Sequence, residues 1–282
     1  MNTIKSSSTK LKAKRAFIKK GTCSRTFLYI LNREFGHPMD DEEIAIDPLA
    51  GGINQQGYQC GMLWGSSMAV SAEAFRMTSN KDKAIDLSIN STKQILESFT
   101  KRTKTIECEE ITECNFESKK SFLKYMLSGK FVGCYKLAGR WAPEALSTAK
   151  KGLSVSFNDI PVKAKSCATE VVRILGGSEE EMMLVSGFAG GLGLSGNACG
   201  ALAAAIWINA LNDLRENNKK PSFSSQRIEK ILEDFYNATD FNIKCTDITG
   251  KLFKDVNDHT KFIENGGCQT LLSLLGESAI IN

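Results

Sequence analysis

Nine cysteines are the residues of this 282-residue chain whose type and placement suit chemistry. A thiolate binds metals, exchanges with disulfides and attacks electrophiles, so a recurring set of cysteines points to sulfur-based redox or metal chemistry. The set does recur. Leu49 to Gly61 aligns without a gap on Phe188 to Gly200 as Ala-Gly-Gly-aliphatic-x-x-x-Gly-x-x-Cys-Gly, which places Cys60 on Cys199. Upstream, Cys23 precedes Ile30-Leu31 as Cys167 precedes Ile174-Leu175. Downstream, Ile95 to Phe99 matches Ile231 to Phe235, Ile106 to Thr112 matches Ile243 to Thr249, and Gly133-Cys134 matches Gly267-Cys268. The cysteines are spaced by 37, 48 and 26 residues in the first half and by 32, 46 and 23 in the second. Five matches in one order identify a tandem duplication with four equivalent cysteines per copy, and Cys114 alone is left over. Small buried residues are the commonest role of free cysteine. Survival of all four, among neighbours that have diverged, favours a shared site in each half.

The elements that would position these thiols are helical. Phe27, Leu28, Ile30 and Leu31 follow Thr22, and Val171, Val172, Ile174 and Leu175 follow Ser166, each a residue suited to an N-cap. Gly61 to Phe75 and Ala201 to Leu214 read as matching helices, with Gly200 to Leu211 a buried one. Ile85 to Phe99 and Gln226 to Phe235 read as amphipathic helices, while Leu153 to Phe157 is a short strand-like run. The reading is all-α: two tandem homologous helical-bundle units, residues 21–150 and 160–282, in a pseudo-twofold arrangement, with a junction around Gly152 to Pro161. Residues 1–20, rich in lysine, serine and threonine, are expected to be a flexible basic tail.

Cys23, Cys167, Cys60 and Cys199 would then open helices, where free amides and the helix dipole favour thiolate and should lower the pKa. The glycines before Cys60 and Cys199 allow close backbone approach to a cluster or ligand, or simply form a tight turn. Four thiolates per unit is the ligand count of an iron–sulfur cluster or a structural zinc site. No Cys-x-x-Cys pair is present, which disfavours zinc ribbons, ordinary ferredoxin loops and covalent haem, so the fold must assemble any site from remote helices. His37 and His259 do not occupy equivalent places, and both are expected at the surface or at helix caps.

The residues now quoted resemble the C_GCAxxG_C_C family of redox-active proteins. By that resemblance Cys23, Cys60, Cys108 and Cys134, and again Cys167, Cys199, Cys245 and Cys268, correspond to the signature cysteines and would be metal ligands. The family is similar to the non-haem portion of split-Soret-type cytochromes, which implies an iron–sulfur cluster; a metal-free dithiol and zinc are the alternatives. The chain departs from the signature at Gln59 and Ala198, which precede the core cysteines in place of glycine. Gly65 follows in the first half only, with Ala203, Ala204 and Ala205 in the second, where Trp64 has no aromatic counterpart either.

Composition fits a globular protein, with 42% apolar and 24% charged residues and a net charge of +4. No segment is long and apolar enough to span a membrane, and without an export signal a cytoplasmic location is expected, where thiols stay reduced or bound to metal. The functional expectation is a redox or electron-transfer protein with a redox partner protein, no membrane and no nucleic acid, either a monomer with an internal pseudo-dimer or a homodimer. A thiol–disulfide oxidoreductase or redox sensor would use the same cysteines. Gly191-Leu192-Gly193-Leu194-Ser195-Gly196 also fits a dinucleotide-binding pattern, although without a strand or an acidic partner, and a structural or interaction protein is the remaining reading.

Overall fold

The structure is a computed structural model and describes residues 12–116, 118–154, 163–218 and 220–278. Among these residues it is built of helices, with no strand and one isolated antiparallel bridge between Gln59 and Glu107. A first helix, α1 (residues 12–20), precedes the first unit. That unit contains α2 (Cys23–Phe35), α3 (Asp40–Ala45), a 3-10 turn at Asp47–Leu49, α4 (Gly61–Met77), α5 (Lys81–Thr103), α6 (Cys108–Thr112), α7 (Lys119–Leu127) and α8 (Phe131–Leu153). The second repeats the order as α9 (Cys167–Ile174), α10 (Glu179–Leu184), a 3-10 turn at Ser186–Phe188, α11 (Gly200–Asn217), α12 (Gln226–Ala238), α13 (Cys245–Thr249), α14 (Val256–Glu264) and α15 (Gln269–Glu277). The expected helices over 61–75, 85–99, 201–214 and 226–235 all form, each longer than the sequence pattern indicated.

α1 corrects the expectation of a solvated tail over residues 12–20. It is a helix that buries Ala13, Ala16 and Phe17, with Phe17 packed against Tyr135 at 4.5 Å between ring centroids. Its lysines flank and mask an apolar face too short to be legible, Lys14 laying its stem against Gly139 of α8. Residues 1–11 and most of the run from Leu153 to Phe157 lie outside the described residues.

α4 and α11 are the central rods. α4 is rich in Ala, Ser, Gly and Met and α11 in Ala, so neighbouring helices approach closely. At Gly65 a Cβ would collide with the Ser24 carbonyl oxygen and lie 2.9 Å from Leu28 N, so α2 crosses α4 in near backbone contact. Ala203, Ala204 and Ala205 are fully buried at the corresponding place in α11.

The units interlock reciprocally. α3 and the turn Asp47–Leu49 pack on α11 of the second unit, while α10 and the turn Ser186–Phe188 pack on α4 of the first. Trp64 meets Phe188 edge-on at 4.9 Å, Gly187 N donates to Ser71 Oγ at 3.1 Å, and Trp207 Nε1 donates to the Glu42 carbonyl at 3.4 Å. One hydrophobic core therefore runs through both units. The two bundles are not separable bodies.

Candidate functional site

Each signature cysteine sits at the start of a helix. Cys23 opens α2 just after Thr22, whose hydroxyl accepts from Arg25 N at 3.4 Å; Cys60 is the N-cap of α4, Cys108 opens α6, and Cys134 lies in the first turn of α8. In the second unit Cys167 opens α9 after Ser166, Cys199 caps α11, Cys245 opens α13 and Cys268 caps α15. The sequence pattern placed four of these at helix starts; the other four follow the same rule.

A left-handed loop delivers the core cysteine. Gly51, Gly52, Ile53, Asn54 and Gln55 all have positive φ, as do Gly190, Gly191, Leu192, Gly193 and Leu194. Such a run is costly for residues other than glycine, Ile53 most of all, and persists because the loop hydrogen-bonds to itself. Gly57 N donates to the Gly51 carbonyl and Gly196 N to the Gly190 carbonyl, both at 2.9 Å. At Gly52 a Cβ would strike the backbone of Tyr58. These constraints also give the Gly-x-Gly-x-x-Gly run at 191–196 its role, because no strand leads into it. Cys108 is then zipped beside Cys60 by backbone bonds: Cys60 N donates to the Ile106 carbonyl at 2.8 Å and Cys108 N to the Tyr58 carbonyl at 2.6 Å.

Cys23, Cys60, Cys108 and Cys134 consequently line one cavity of about 280 Å³, walled by Phe17, Phe116, Tyr125, Phe131 and Tyr135 among others. The Cys23 sulfur rests over Gly61, where a Cβ would stand only 2.7 Å away. Tyr125 OH lies 3.4 Å from Cys134 Sγ. Cys167, Cys199, Cys245 and Cys268 likewise line one space, but it is closed to about 20 Å³ by Phe253, His259, Phe262, Ile263 and Leu271. All nine cysteines are free thiols, and no group of three or more His, Cys, Asp or Glu among the described residues is arranged to hold a metal ion. Each quartet shares a space without closing on a point.

The expected lowering of thiol pKa holds for Cys23 only. A hydrogen bond from the Cys60 thiol, helped by the Gly51 and Ser24 backbone, holds Cys23 below its usual range against the opposing effect of burial. Cys60 is raised, first as the donor in that bond and then by burial. Burial raises Cys108, Cys167, Cys199 and Cys245, pushes Cys134 up to about 11 and Cys268 up to about 12. Stripping water from a charged sulfur costs more than the helix-start amides return.

Sequence reasoning missed several residues. His259 is not at the surface: it is 1% exposed, its Nδ1 donates to the Lys165 carbonyl at 3.1 Å, and burial lowers its pKa to about 4. Packing of α14 beneath residues 163–165 buries it, a tertiary event that no local pattern announces. His37 is exposed, just past the left-handed Gly36 that ends α2. Cys114, buried at 1%, lies near the first quartet and helps raise Cys108 and Cys134, but it does not line their cavity. Gln59 is 1% exposed, and its Nε2 donates to Glu107 Oε1 at 2.9 Å and to the Asn197 carbonyl at 2.8 Å. It thus ties the loop of Cys60 to that of Cys199, and its departure from the signature glycine was the available signal.

No helix among the described residues is long and apolar enough to cross a membrane. No curated protein and no solved structure matches the chain. The family model described as "Putative redox-active protein (C_GCAxxG_C_C)" matches residues 22–145 and again residues 164–277. The chain belongs to that family and carries two copies of its unit.

Proposed function

We propose that the chain is a redox protein in which Cys23, Cys60, Cys108 and Cys134 bind an iron–sulfur cluster, with Cys167, Cys199, Cys245 and Cys268 as a second, more enclosed thiol centre. The observation that carries this reading is the meeting of four thiols, from four segments remote in sequence, at helix starts around one cavity of about 280 Å³. The donor set and the space in the first unit fit such a group. The second unit has the donors without the room, since Phe253, His259 and Phe262 occupy what the first unit leaves open.

Bound there, a cluster would supply one-electron transfer. The chain's own residues prepare for it. Cys23 is the thiol nearest its thiolate form, and the remaining three would give up protons as they ligate, so loading should release protons. The amides at the starts of α2, α4 and α6 favour negative charge on sulfur. Tyr125 OH beside Cys134 would hydrogen-bond a ligating sulfur and so help set the potential. Electrons would arrive from a separate redox partner protein.

The test is chemical analysis of full-length protein produced in a cluster-competent host and purified without oxygen. A brown protein with stoichiometric iron and sulfide, lost on replacing Cys60 by Ser, is expected. A colourless, iron-free protein would overturn the proposal.

One observation favours a second reading. The hydrogen-bonded Cys23–Cys60 pair, one thiol lowered and one raised, is arranged for disulfide exchange. Cys23 thiolate would attack a substrate disulfide and release one substrate thiol; Cys60, losing its proton, would attack the mixed disulfide and release the other. The pair would lose two electrons and the substrate disulfide would gain them. A reversible Cys23–Cys60 disulfide in iron-free protein would support this, and its absence across a range of glutathione potentials would exclude it.

A further inference from the structure

The first thiol cavity does not open directly to solvent alone. It shares Gln55, Phe116 and Phe223 with a second, larger cleft of about 790 Å³ formed between the left-handed loop of the first unit and α12 of the second. Twelve side chains line that cleft, and they are unusual as a set. Phe116, Phe122, Phe223, Tyr236 and Phe241 supply aromatic surface, with Tyr236 and Phe241 stacked at 5.7 Å. Glu229 and Glu233 supply two carboxylates one turn apart on α12. None of the twelve is basic, although the whole chain carries a net charge of +4.

Two details show what is missing from this cleft. Glu229 and Glu233 stand one helical turn apart, and their basic neighbours Arg227 and Lys230 pair instead with Asp213 and Asp234. Asn54 is 6% exposed, lines the cleft, and its Oδ1 is a buried acceptor without a partner. An unfilled acceptor in a buried position calls for a donor. The aromatic faces carry negative quadrupoles, which favour a cation lying against them.

We infer that this cleft binds an organic cation with N–H donors on an apolar body, an aryl- or alkyl-ammonium or a guanidinium, and thereby presents it to the first thiol centre. The exposed carboxylates of Glu229 and Glu233 match the N–H groups, with Asn54 Oδ1 an acceptor just behind the cleft surface, and the rings match the body and the charge. The second thiol centre has no aromatic, acidic cleft beside it: the cavity of about 410 Å³ that it adjoins at Cys268 is lined by one aromatic ring, Phe262, and no carboxylate. The inference rests on the reading above only in taking the first quartet as the reactive centre; binding itself needs no metal.

The test is calorimetric titration of reduced, iron-free full-length protein with benzylammonium, benzyl alcohol and benzoate, which share a body and differ in charge. Benzylammonium should bind roughly tenfold or more tightly than either of the others. The double variant Glu229→Gln, Glu233→Gln alters exposed side chains only and should bring benzylammonium down to the level of benzyl alcohol with an unchanged circular-dichroism spectrum. Benzylammonium at saturation should also slow alkylation of Cys23 while leaving Cys268 unaffected. Benzoate binding as well as benzylammonium, or the double variant binding as the parent does, would overturn the proposed cation site. Unchanged Cys23 alkylation would overturn its link to the thiols. Because the protein is iron-free, these outcomes are separate from iron and sulfide analysis, which tests the cluster alone.

Discussion

Between the third and fourth cysteines of the first unit, α7 and the start of α8 stand back from the sulfurs and leave a cavity of about 280 Å³. Between the same two cysteines of the second unit, α14 lowers His259, Phe262 and Ile263 onto them and leaves about 20 Å³. Beneath these two lids the chain is nearly the same, with five left-handed residues, a cysteine capping the central helix and another opening the short helix beside it. Duplication therefore preserved the device that presents sulfur and changed what covers it. One copy leaves a cavity around its four sulfurs; the other packs side chains onto them and leaves only Cys268 beside a neighbouring cavity of about 410 Å³. Exposure follows the same division: Phe122, Leu123, Met126, Leu127 and Val132 around the first lid are solvent-exposed, whereas α14 buries Val256, His259 and Thr260.

The comparison breaks most visibly in thiol reactivity. Alkylation needs thiolate and access, and Cys23 has both a lowered pKa and an open cavity, while Cys199 is raised by burial in a closed one. In native, reduced protein at neutral pH, Cys23 should alkylate at least about a hundredfold faster than Cys199, as read by mass spectrometry over time. Its rate should level off at lower pH than that of Cys134, whose pKa is pushed up to about 11, because a lower pKa completes ionisation earlier. Equal rates for Cys23 and Cys199 would mean that the two sites are not distinguished by their lids.

His259 gives the second site a pH dependence of its own, from a buried neutral imidazole. Its folded pKa is about 4 against 6.5 for the free side chain, so the unfolded chain binds the proton first as acidity rises. The stabilising effect of the neutral ring is complete above the unfolded value and is lost as pH falls from 6.5 towards 4, a change on the order of 3 kcal/mol. Half-buried Glu42, Asp47, Asp86 and Glu107 are raised, which works in the opposite sense, so the difference between parent and variant is the quantity to measure. Urea unfolding of the parent and of His259→Gln should diverge across that window, the parent losing more stability on acidification. Parallel curves would assign the pH dependence to the carboxylates.

Much of this was legible in the chain itself, and what was missed has a common cause. Repeats, helices and eight cysteines at equivalent places were readable because they rest on local spacing: an N-cap residue, a glycine turn, an apolar period of three to four. Thr22 and Cys23 exemplify it. The lids were not readable. Nothing local distinguishes the segment holding Tyr125 from that holding His259 as open or closed, since that depends on which helix packs against which. The thiol pKa values failed for the same reason. A helix start is visible in sequence, but the burial that outweighs its amides is a property of the assembled core. α1 fell between these cases, its apolar face being three residues in a lysine-rich run.

Gln59 is a direct hydrogen-bonded link between the loops of Cys60 and Cys199, and removing it sharpens the comparison by a smaller amount. In Gln59→Ala the Asn197 carbonyl and Glu107 Oε1 lose a buried donor, which should cost about 1–3 kcal/mol in urea unfolding. The loops of Cys60 and Cys199 should then respond independently, so alkylation of Cys199 should quicken while that of Cys23 stays near its parent rate. Identical thiol kinetics in variant and parent would show that Gln59 only holds the core together.

The smallest effect is expected at Cys114, and it decides how many thiols the open site uses. Cys114 is 1% exposed, sits six residues beyond Cys108, and has no equivalent in the second unit; Ser121 Oγ approaches its sulfur at 3.7 Å. If the repeat register defines the site, Cys114→Ala removes a small packed side chain and nothing else, at about 1 kcal/mol. Iron and sulfide content and the Cys23 alkylation rate should be unchanged. Cys114 also contributes to raising Cys108 and Cys134, so its loss should move those two thiols slightly towards the thiolate form, and their alkylation should quicken modestly. Loss of iron or of a reversible disulfide in this variant would instead make the first site a five-thiol centre, chemically distinct from the second as well as differently covered.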